Sequence, residues 1–183
     1  MVRREKMKIK IGIKPATLET IMSLFENEQY RWRETFFVLF DGDNQPDLAT
    51  LITALKNLGD RFEISETKIG EQGQFESLTL FSPSDFSAMD ITFTQGDDVY
   101  SHIEEIREEM AGVRLDDEEL EKLELLSECD ARFDVFHFEK LGGISETGEE
   151  DEMLDPGGML IVLELLSELC QGVAVDPQSG SLL

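Results

Sequence analysis

Positive charge is scarce in this chain, which has 16 Lys and Arg residues against 40 Asp and Glu and a formal net charge of −24. Residues 101–183 hold five cations against 23 carboxylates, whereas residues 1–14 hold six cations and one carboxylate. A polyanion of this kind repels nucleic acid and anionic membranes, and it attracts cations and basic proteins. We therefore expect no nucleic-acid or membrane partner, and we expect any partner to be a basic protein.

Cysteine and long apolar runs are also scarce. Cys129 and Cys170 lie in apolar segments with helical periodicity, which predicts buried free thiols rather than a disulfide framework. No apolar run is longer than Met159–Leu163, which is too short to cross a bilayer. The N-terminal charges come without the apolar stretch of a secretory signal. Together these absences predict a reducing, cytoplasmic location.

The chain is long enough for one domain, and 40% hydrophobic residues with 12 Phe suffice for a packed core. Hydrophobic periodicity and turn residues predict seven strands and five helices. The strands are 8–14, Thr35–Phe40, Arg61–Lys68, Phe75–Phe81, Met89–Thr94, Arg132–Phe138 and Gly172–Val175. The helices are 15–26, 48–58, 97–111 (or from Ser101), 116–128 and Met159–Cys170.

This order of elements predicts the α+β class. We expect a mixed sheet with helices packed on it, a ferredoxin-like sandwich that is elaborated or loosely duplicated. Residues 1–183 form one domain in this interpretation, with 1–34 as an N-terminal strand and helix extension. Residues 142–158 are rich in glycine and carboxylates and are predicted to be a mobile acidic loop.

One segment suggests catalysis. Phe36–Asp43 is an apolar strand that ends in Asp-x-Asp, and it resembles the first motif of haloacid-dehalogenase-type phosphatases. The resemblance implies that Asp41 attacks phosphorus and that Asp43 acts as the acid and base beside Mg²⁺. Asp97 and Asp98 follow another apolar strand and resemble the metal-binding acidic pair of the last motif. The four carboxylates are the candidate metal ligands of this alternative.

The chain departs from that pattern in three places. Gln45 stands where the family has Thr or Val, and no lysine lies between Lys68 and Lys122. Leu78–Ser82 resembles the second motif, but only 14 residues separate Ser82 from Asp97, too few for the expected crossover helix and strand. The competing interpretation is that the aspartates form a turn and cap a helix.

The remaining candidates are isolated. His102 is predicted at the surface of its helix, and His137 is predicted to be a hydrogen-bonded core histidine; neither has a close-spaced partner for a metal. Tyr30 and Trp32 have arginines beside them, so they are candidates for stacking on a base or a peptide, although aromatic residues that enter a buried strand are typical of a core.

The sequence therefore predicts a non-catalytic acidic interaction or regulatory domain without a cofactor or catalytic residue. Glu104 and Glu108, on an acidic helix face, join Tyr30 and Trp32 as candidate binding residues. The alternative is the Mg²⁺-dependent phosphohydrolase described above. An exposed apolar patch around Tyr30–Trp32 or along the last helix would instead indicate a structural subunit. The sequence does not determine whether the chain forms a homo-oligomer.

Overall fold

The computed structural model describes residues 23–70, 73–142 and 157–183. In these ranges the strands are β1 (Tyr30–Phe40), β2 (Glu63–Ile69), β3 (Phe75–Ser82), β4 (Ser87–Gln95), β5 (Ala131–Lys140), β6 (Val173–Asp176) and β7 (Ser181–Leu182). The α-helices are α1 (Leu48–Asn57), α2 (Asp97–Met110), α3 (Asp117–Leu125) and α4 (Gly157–Cys170). Single 3₁₀ turns occur at Leu24–Glu26, Gly42–Asn44, Pro83–Asp85 and Leu126–Glu128.

Two predicted segments fall largely outside the description. The predicted strand 8–14 and residues 15–22 of the predicted first helix lie outside the described residues, as do residues 143–156 of the predicted acidic loop. Within the described part, Leu24–Glu26 is a single 3₁₀ turn, and Gly157 and Gly158 already belong to α4.

The strands form one sheet in the order β2-β3-β4-β5-β1-β6-β7, and each neighbouring pair of the described strands is antiparallel. The predicted α+β class is confirmed, but the sheet is antiparallel rather than mixed. A strand–helix–strand unit gives a parallel pair when its two strands lie side by side. In this sheet the strands of the units β1–α1–β2 and β5–α4–β6 are not neighbours: β1 lies between β5 and β6, and three strands separate β1 from β2.

Alternation along the strands gives the sheet two covered faces. On the first face, Val38 and Phe40 of β1 pack with Leu51 of α1 and Val162 of α4. On the second face, Leu39 of β1 belongs to a separate cluster that includes residues of α2, β6 and β7. A strand that is apolar on both sides is buried on both sides, as the sequence predicted for Thr35–Phe40.

The helix boundaries follow local signals, with one correction. The side chain of Asp47 accepts a hydrogen bond from the Thr50 amide (2.7 Å) and caps α1. Helix α2 begins at Asp97, so Asp97 rather than Ser101 is the correct one of the two predicted starts. The helical spacing of Leu120, Leu123 and Leu126 predicts that all three face inward. For Leu120 this prediction is wrong, since 46% of it is exposed. Burial at this end comes instead from Leu126, in the 3₁₀ turn that follows the helix.

The start of β1 and the last strand of the chain also differ from prediction. Strand β1 begins at Tyr30, five residues before the predicted start, because Tyr30–Trp32 pair with the far end of β5. The short strand β7 follows the predicted turn and pairs with β6. Within the described ranges, none of the helices has the length and apolar content that crossing a membrane requires.

Candidate functional site

The carboxylate of Asp41 closes a local turn. Its Oδ1 accepts a hydrogen bond from the Asp43 amide (3.0 Å) at the start of the 3₁₀ turn Gly42–Asn44. Next to it, the Asp130 carboxylate accepts hydrogen bonds from the Gly42 amide (2.7 Å) and from Gln95 Nε2 (3.0 Å). The Asp130 carboxylate, at the start of β5, therefore joins the end of β1 to the end of β4.

Asp97 and Asp98 occupy the first turn of α2, where free amide groups and the helix dipole favour negative charge. Strands β1 and β4 run parallel to each other, so Asp41 and Asp97 lie at the same edge of the sheet, but β5 lies between them. Among residues 23–70, 73–142 and 157–183, no three His, Cys, Asp or Glu side chains are grouped so that they could hold a metal ion. The structure thus does not bring the four candidate aspartates into one metal-binding group.

The two histidines occupy different environments. His137 is only 3% exposed, and its Nδ1 lies 3.2 Å from Glu34 Oε1, which confirms the predicted hydrogen-bonded core histidine. The prediction that His102 lies at the surface is wrong: it is half-buried, and its ring meets the Phe37 ring edge-on at 4.5 Å between centroids. The reason is that α2 packs against the sheet partly through this residue.

His102 is part of a polar network. Arg132 Nη1 lies 3.2 Å from His102 Nδ1, and Arg132 Nε pairs with Asp134 Oδ1 at 2.6 Å. Thr94 Oγ1 donates to the other oxygen of Asp134 (2.8 Å). Burial, reinforced by the Arg132 charge, lowers the pKa of His102 below its ordinary value. Because arginine only donates, Nδ1 is the acceptor and the neutral ring carries its proton on Nε2.

Neither thiol is available for nucleophilic chemistry. Cys129 and Cys170 are free and buried, as predicted, and their sulfurs donate to the carbonyl oxygens of Leu125 (3.4 Å) and Leu166 (2.9 Å). Burial raises the pKa of Cys129 to about 11 and that of Cys170 to about 12. The thiolate, which is the reactive form, is therefore negligible near pH 7.

The predicted aromatic pair is divided between core and surface. Tyr30 is half-buried against Phe81, with 5.6 Å between ring centroids. Trp32 is 49% exposed, and its Nε1 donates to Thr35 Oγ1 (3.1 Å). Arg31 and Arg33 on either side of Trp32 both pair with Glu139. Trp32 is therefore available for contacts with a partner, whereas Tyr30 contributes mainly to packing.

Among the described helices, the negative charge is concentrated in those that cover the second face of the sheet. We call the segment Asp97–Glu128, which comprises α2, α3 and the following 3₁₀ turn, the acidic layer. It holds 13 carboxylates against three cations, a net of −10. By contrast, α1 has one lysine and no carboxylate, and α4 has two carboxylates and no cation. In the part of the chain that the structure describes, the helices over the second face are thus strongly anionic and those over the first face are not.

The cations within the acidic layer are largely used internally. Lys122 Nζ pairs with Glu118 Oε1 at 2.7 Å, and Arg107 Nη2 donates to the Leu123 carbonyl oxygen (3.4 Å). Glu104 and Glu108 are exposed on α2, as expected from the sequence. The surface of the layer therefore presents carboxylates, most of them without a neighbouring cation on the layer itself.

A hollow of about 580 Å³ lies at the end of the acidic layer. It is lined by Glu121, Glu124, Leu125, Ser127 and Glu128. Half of the Leu125 surface is exposed, so an apolar contact lies among three carboxylates. The sequence shows the acidic run, but it does not show that the run covers one face of the sheet or that a hollow lies at its end. Both follow from the packing of α2 and α3. No family model, curated protein or solved structure matches this chain.

Proposed function

We propose that this chain is a non-catalytic interaction domain that binds a basic protein through the acidic layer and uses no cofactor. The observation that supports this most directly is the segregation of charge among the described helices, with a net of −10 on Asp97–Glu128 against +1 on α1 and −2 on α4. A one-sided field steers a cationic partner towards one face, and it repels partners of the same sign.

Exposed apolar side chains on the same layer support a specific contact. Tyr100 on α2, and Leu120 and Leu125 at α3, are each about half exposed. Protein interfaces usually combine such apolar anchors with surrounding charged groups. In the hollow, the aliphatic part of a lysine or arginine side chain contacts Leu125 while its charged end meets Glu124 or Glu128.

We also propose that the fold is an elaborated ferredoxin-like sandwich. Support comes from β4-β5-β1-β6, which are consecutive and antiparallel in the sheet, and from α1 and α4, which pack into one cluster on the same face. The chain then reads β-α-β-β-α-β, with β2–β3 and α2–α3 as insertions and β7 as an addition. The two free cysteines support a reducing, cytoplasmic location.

The test compares two variants of equal net charge. In the layer variant four exposed glutamates of the acidic layer become glutamine, and in the matched control four exposed glutamates elsewhere do. The layer variant carries Glu104→Gln, Glu108→Gln, Glu121→Gln and Glu124→Gln, and the control carries Glu63→Gln, Glu76→Gln, Glu164→Gln and Glu168→Gln. Each protein is used to capture partners from a lysate of its source. A captured protein is then purified, and its Kd is measured from about 0.1 M to 1 M salt, where the Debye length falls from about 10 Å to about 3 Å.

We expect a basic partner that binds wild type and control equally and binds the layer variant at least about tenfold more weakly. Its affinity for wild type should fall steadily as the salt concentration rises. Equal weakening in both variants would mean that only overall charge matters, and it would refute a binding surface on the acidic layer. The absence of any partner at the lowest salt would refute the proposal altogether.

A further inference from the structure

Two rows of polar side chains cross the second face of the sheet at β2–β5, away from the acidic layer. Residues directly opposite each other in antiparallel strands share a face, so the register defines each row. One row is Glu66–Thr79–Asp90–Phe136, and the next is Lys68–Ser77–Thr92–Asp134. On the other face the same strands place Leu78, Leu80, Met89 and Ile91 in the core.

A cavity of about 140 Å³, which we call the polar pocket, lies over these rows. The 3₁₀ turn Leu24–Glu26 closes one side of it. The Leu24 amide donates to Asp90 Oδ2 (3.4 Å), and the Leu24 side chain is buried against Ala88 and Phe138. The Phe25 ring meets Phe136 edge-on, with 5.4 Å between centroids. The pocket therefore has a polar floor and an aromatic wall.

The floor carries both signs of charge. Asp90 Oδ1 accepts a hydrogen bond from Thr79 Oγ1 (2.6 Å), and the long Leu24 contact leaves Oδ2 with capacity for a stronger donor. Burial raises the pKa of Asp90, while the charge of Lys68 acts in the opposite direction. A partly buried carboxylate with a perturbed pKa in a cavity is typical of a binding site.

Size and charge restrict the ligand. Cavities for drug-sized ligands measure roughly 300–1,000 Å³, so this pocket excludes nucleotides and admits only a small molecule. Glu66 and Asp90 would repel a simple anion, and Lys68 would repel a simple cation. Glu66 and Lys68 are two residues apart on β2, about 7 Å along the strand, and Asp90 lies across from Glu66 with β3 between them. A zwitterion carries both charges on one small molecule, so its ammonium group can meet the carboxylates while its carboxylate meets Lys68.

We propose that the polar pocket binds a free α-amino acid as its zwitterion. The ammonium group lies at Asp90 and Glu66, and the carboxylate lies at Lys68 with hydrogen bonds from Ser77 and Thr92. The side chain of the amino acid lies against the Phe25–Phe136 wall. This site is separate from the acidic layer and does not depend on binding of a basic protein.

The experiment is calorimetric titration of the full chain with the standard free L-amino acids. The best ligand is then compared with its methyl ester, which lacks the carboxylate, and its N-acetyl derivative, which lacks the ammonium group. Lys68→Met and Asp90→Asn remove one charge each from the pocket, and Lys56→Met on α1 is the matched control on the other face. Lys68 is exposed, so its substitution leaves the core packing intact.

We expect saturable binding of at least one amino acid. Both derivatives of that ligand should bind wild type roughly tenfold or more weakly, and the ligand itself should bind Lys68→Met and Asp90→Asn roughly tenfold or more weakly, because each change removes a charge-assisted contact. Lys56→Met and the layer variant should bind as wild type does. The proposal is overturned if no free amino acid binds saturably, if the methyl ester binds as tightly as the acid, or if Lys68→Met leaves the affinity unchanged. If Asp90→Asn does not fold, the affinity of Lys68→Met still tests whether the polar pocket binds the amino acid.

Discussion

Arg132 on β5 holds His102 on α2, with 3.2 Å between Nη1 and Nδ1, and its guanidinium also lies over the Phe37 ring at 4.9 Å. The contact joins the acidic layer to the sheet through a neutral imidazole. If His102 became protonated, Nδ1 would turn from an acceptor into a donor and two cations would face each other. The attachment of α2 is therefore expected to depend on pH.

We predict that His102 makes the protein less stable as the pH falls below about 6.5. The pKa of His102 is lower in the folded state than its ordinary value of 6.5. Its contribution is therefore complete above that value and is lost as the pH falls through the folded pKa. Glu105 and Glu109 on α2 and Asp134 on β5 raise the pKa and limit the size of the effect. Urea denaturation across this range should give a steeper fall in wild type than in His102→Gln; identical slopes would contradict the prediction.

Asp90 should show the opposite dependence. Its pKa is raised above the ordinary value of 3.8, mainly by burial, so its contribution to stability is complete below that value and is lost as the pH rises through the folded pKa. The free energy of unfolding of Asp90→Asn relative to wild type should therefore increase between about pH 4 and pH 7. Chemical denaturation at these two pH values measures the difference. A constant difference would show that burial does not penalise this carboxylate.

Phe133 lies at the centre of the core on the first face and is fully buried. Its ring centroid lies 4.7 Å from that of Phe40 and 5.8 Å from that of Phe75. We expect Phe133→Ala to reduce the free energy of unfolding by about 3–5 kcal/mol, since both buried area and packing are lost. Leu120→Ala on the exposed side of α3 is the control and should cost less than about 0.5 kcal/mol. Comparable losses in the two variants, measured by urea unfolding, would contradict this description of the core.

Gly96 precedes α2 with a φ of 104°, a conformation that a residue with a Cβ rarely adopts. We expect Gly96→Ala to destabilise the protein by about 1 kcal/mol or more through backbone strain alone, because an added Cβ would meet no atom within 4 Å. Gly112, also without neighbours within 4 Å, has no such φ. Gly112→Ala should be neutral or stabilising by less than about 1 kcal/mol. Thermal unfolding should separate the two variants, and equal melting temperatures would exclude strain at Gly96.

Several elements were predictable because their signals are local. The five apolar residues Phe36–Phe40 predicted a strand covered on both faces, and Leu51 and Leu55 predicted the inner face of α1. The helical spacing of Val99 and Ile103 predicts that they face inward from α2, and both are buried. These assignments depend only on periodicity within one segment, so they did not require knowledge of the other segments.

Contacts between distant segments were not predictable in the same way. His102 was expected at the surface, because the sequence does not reveal that Arg132 and Phe37 lie beneath that turn of α2. Asp90 and Thr92 alternate with apolar residues, which predicts the polar side of a strand, but this pattern does not reveal that Glu66 and Lys68 share that face of the sheet. Gly70 and Gly73 between two apolar runs do predict a hairpin, and this hairpin sets the register of β2 and β3.

By itself the sequence determined the acidic charge, the two-sided apolar strands, most helix boundaries and the α+β class, because composition and periodicity are properties of the chain. Only the tertiary structure decided the antiparallel order of the strands, the collection of acidic helices on one face and the alignment of Asp90 with Glu66 across a third strand. Strand order and register depend on which surfaces bury each other, a choice made by contacts between segments far apart in the chain.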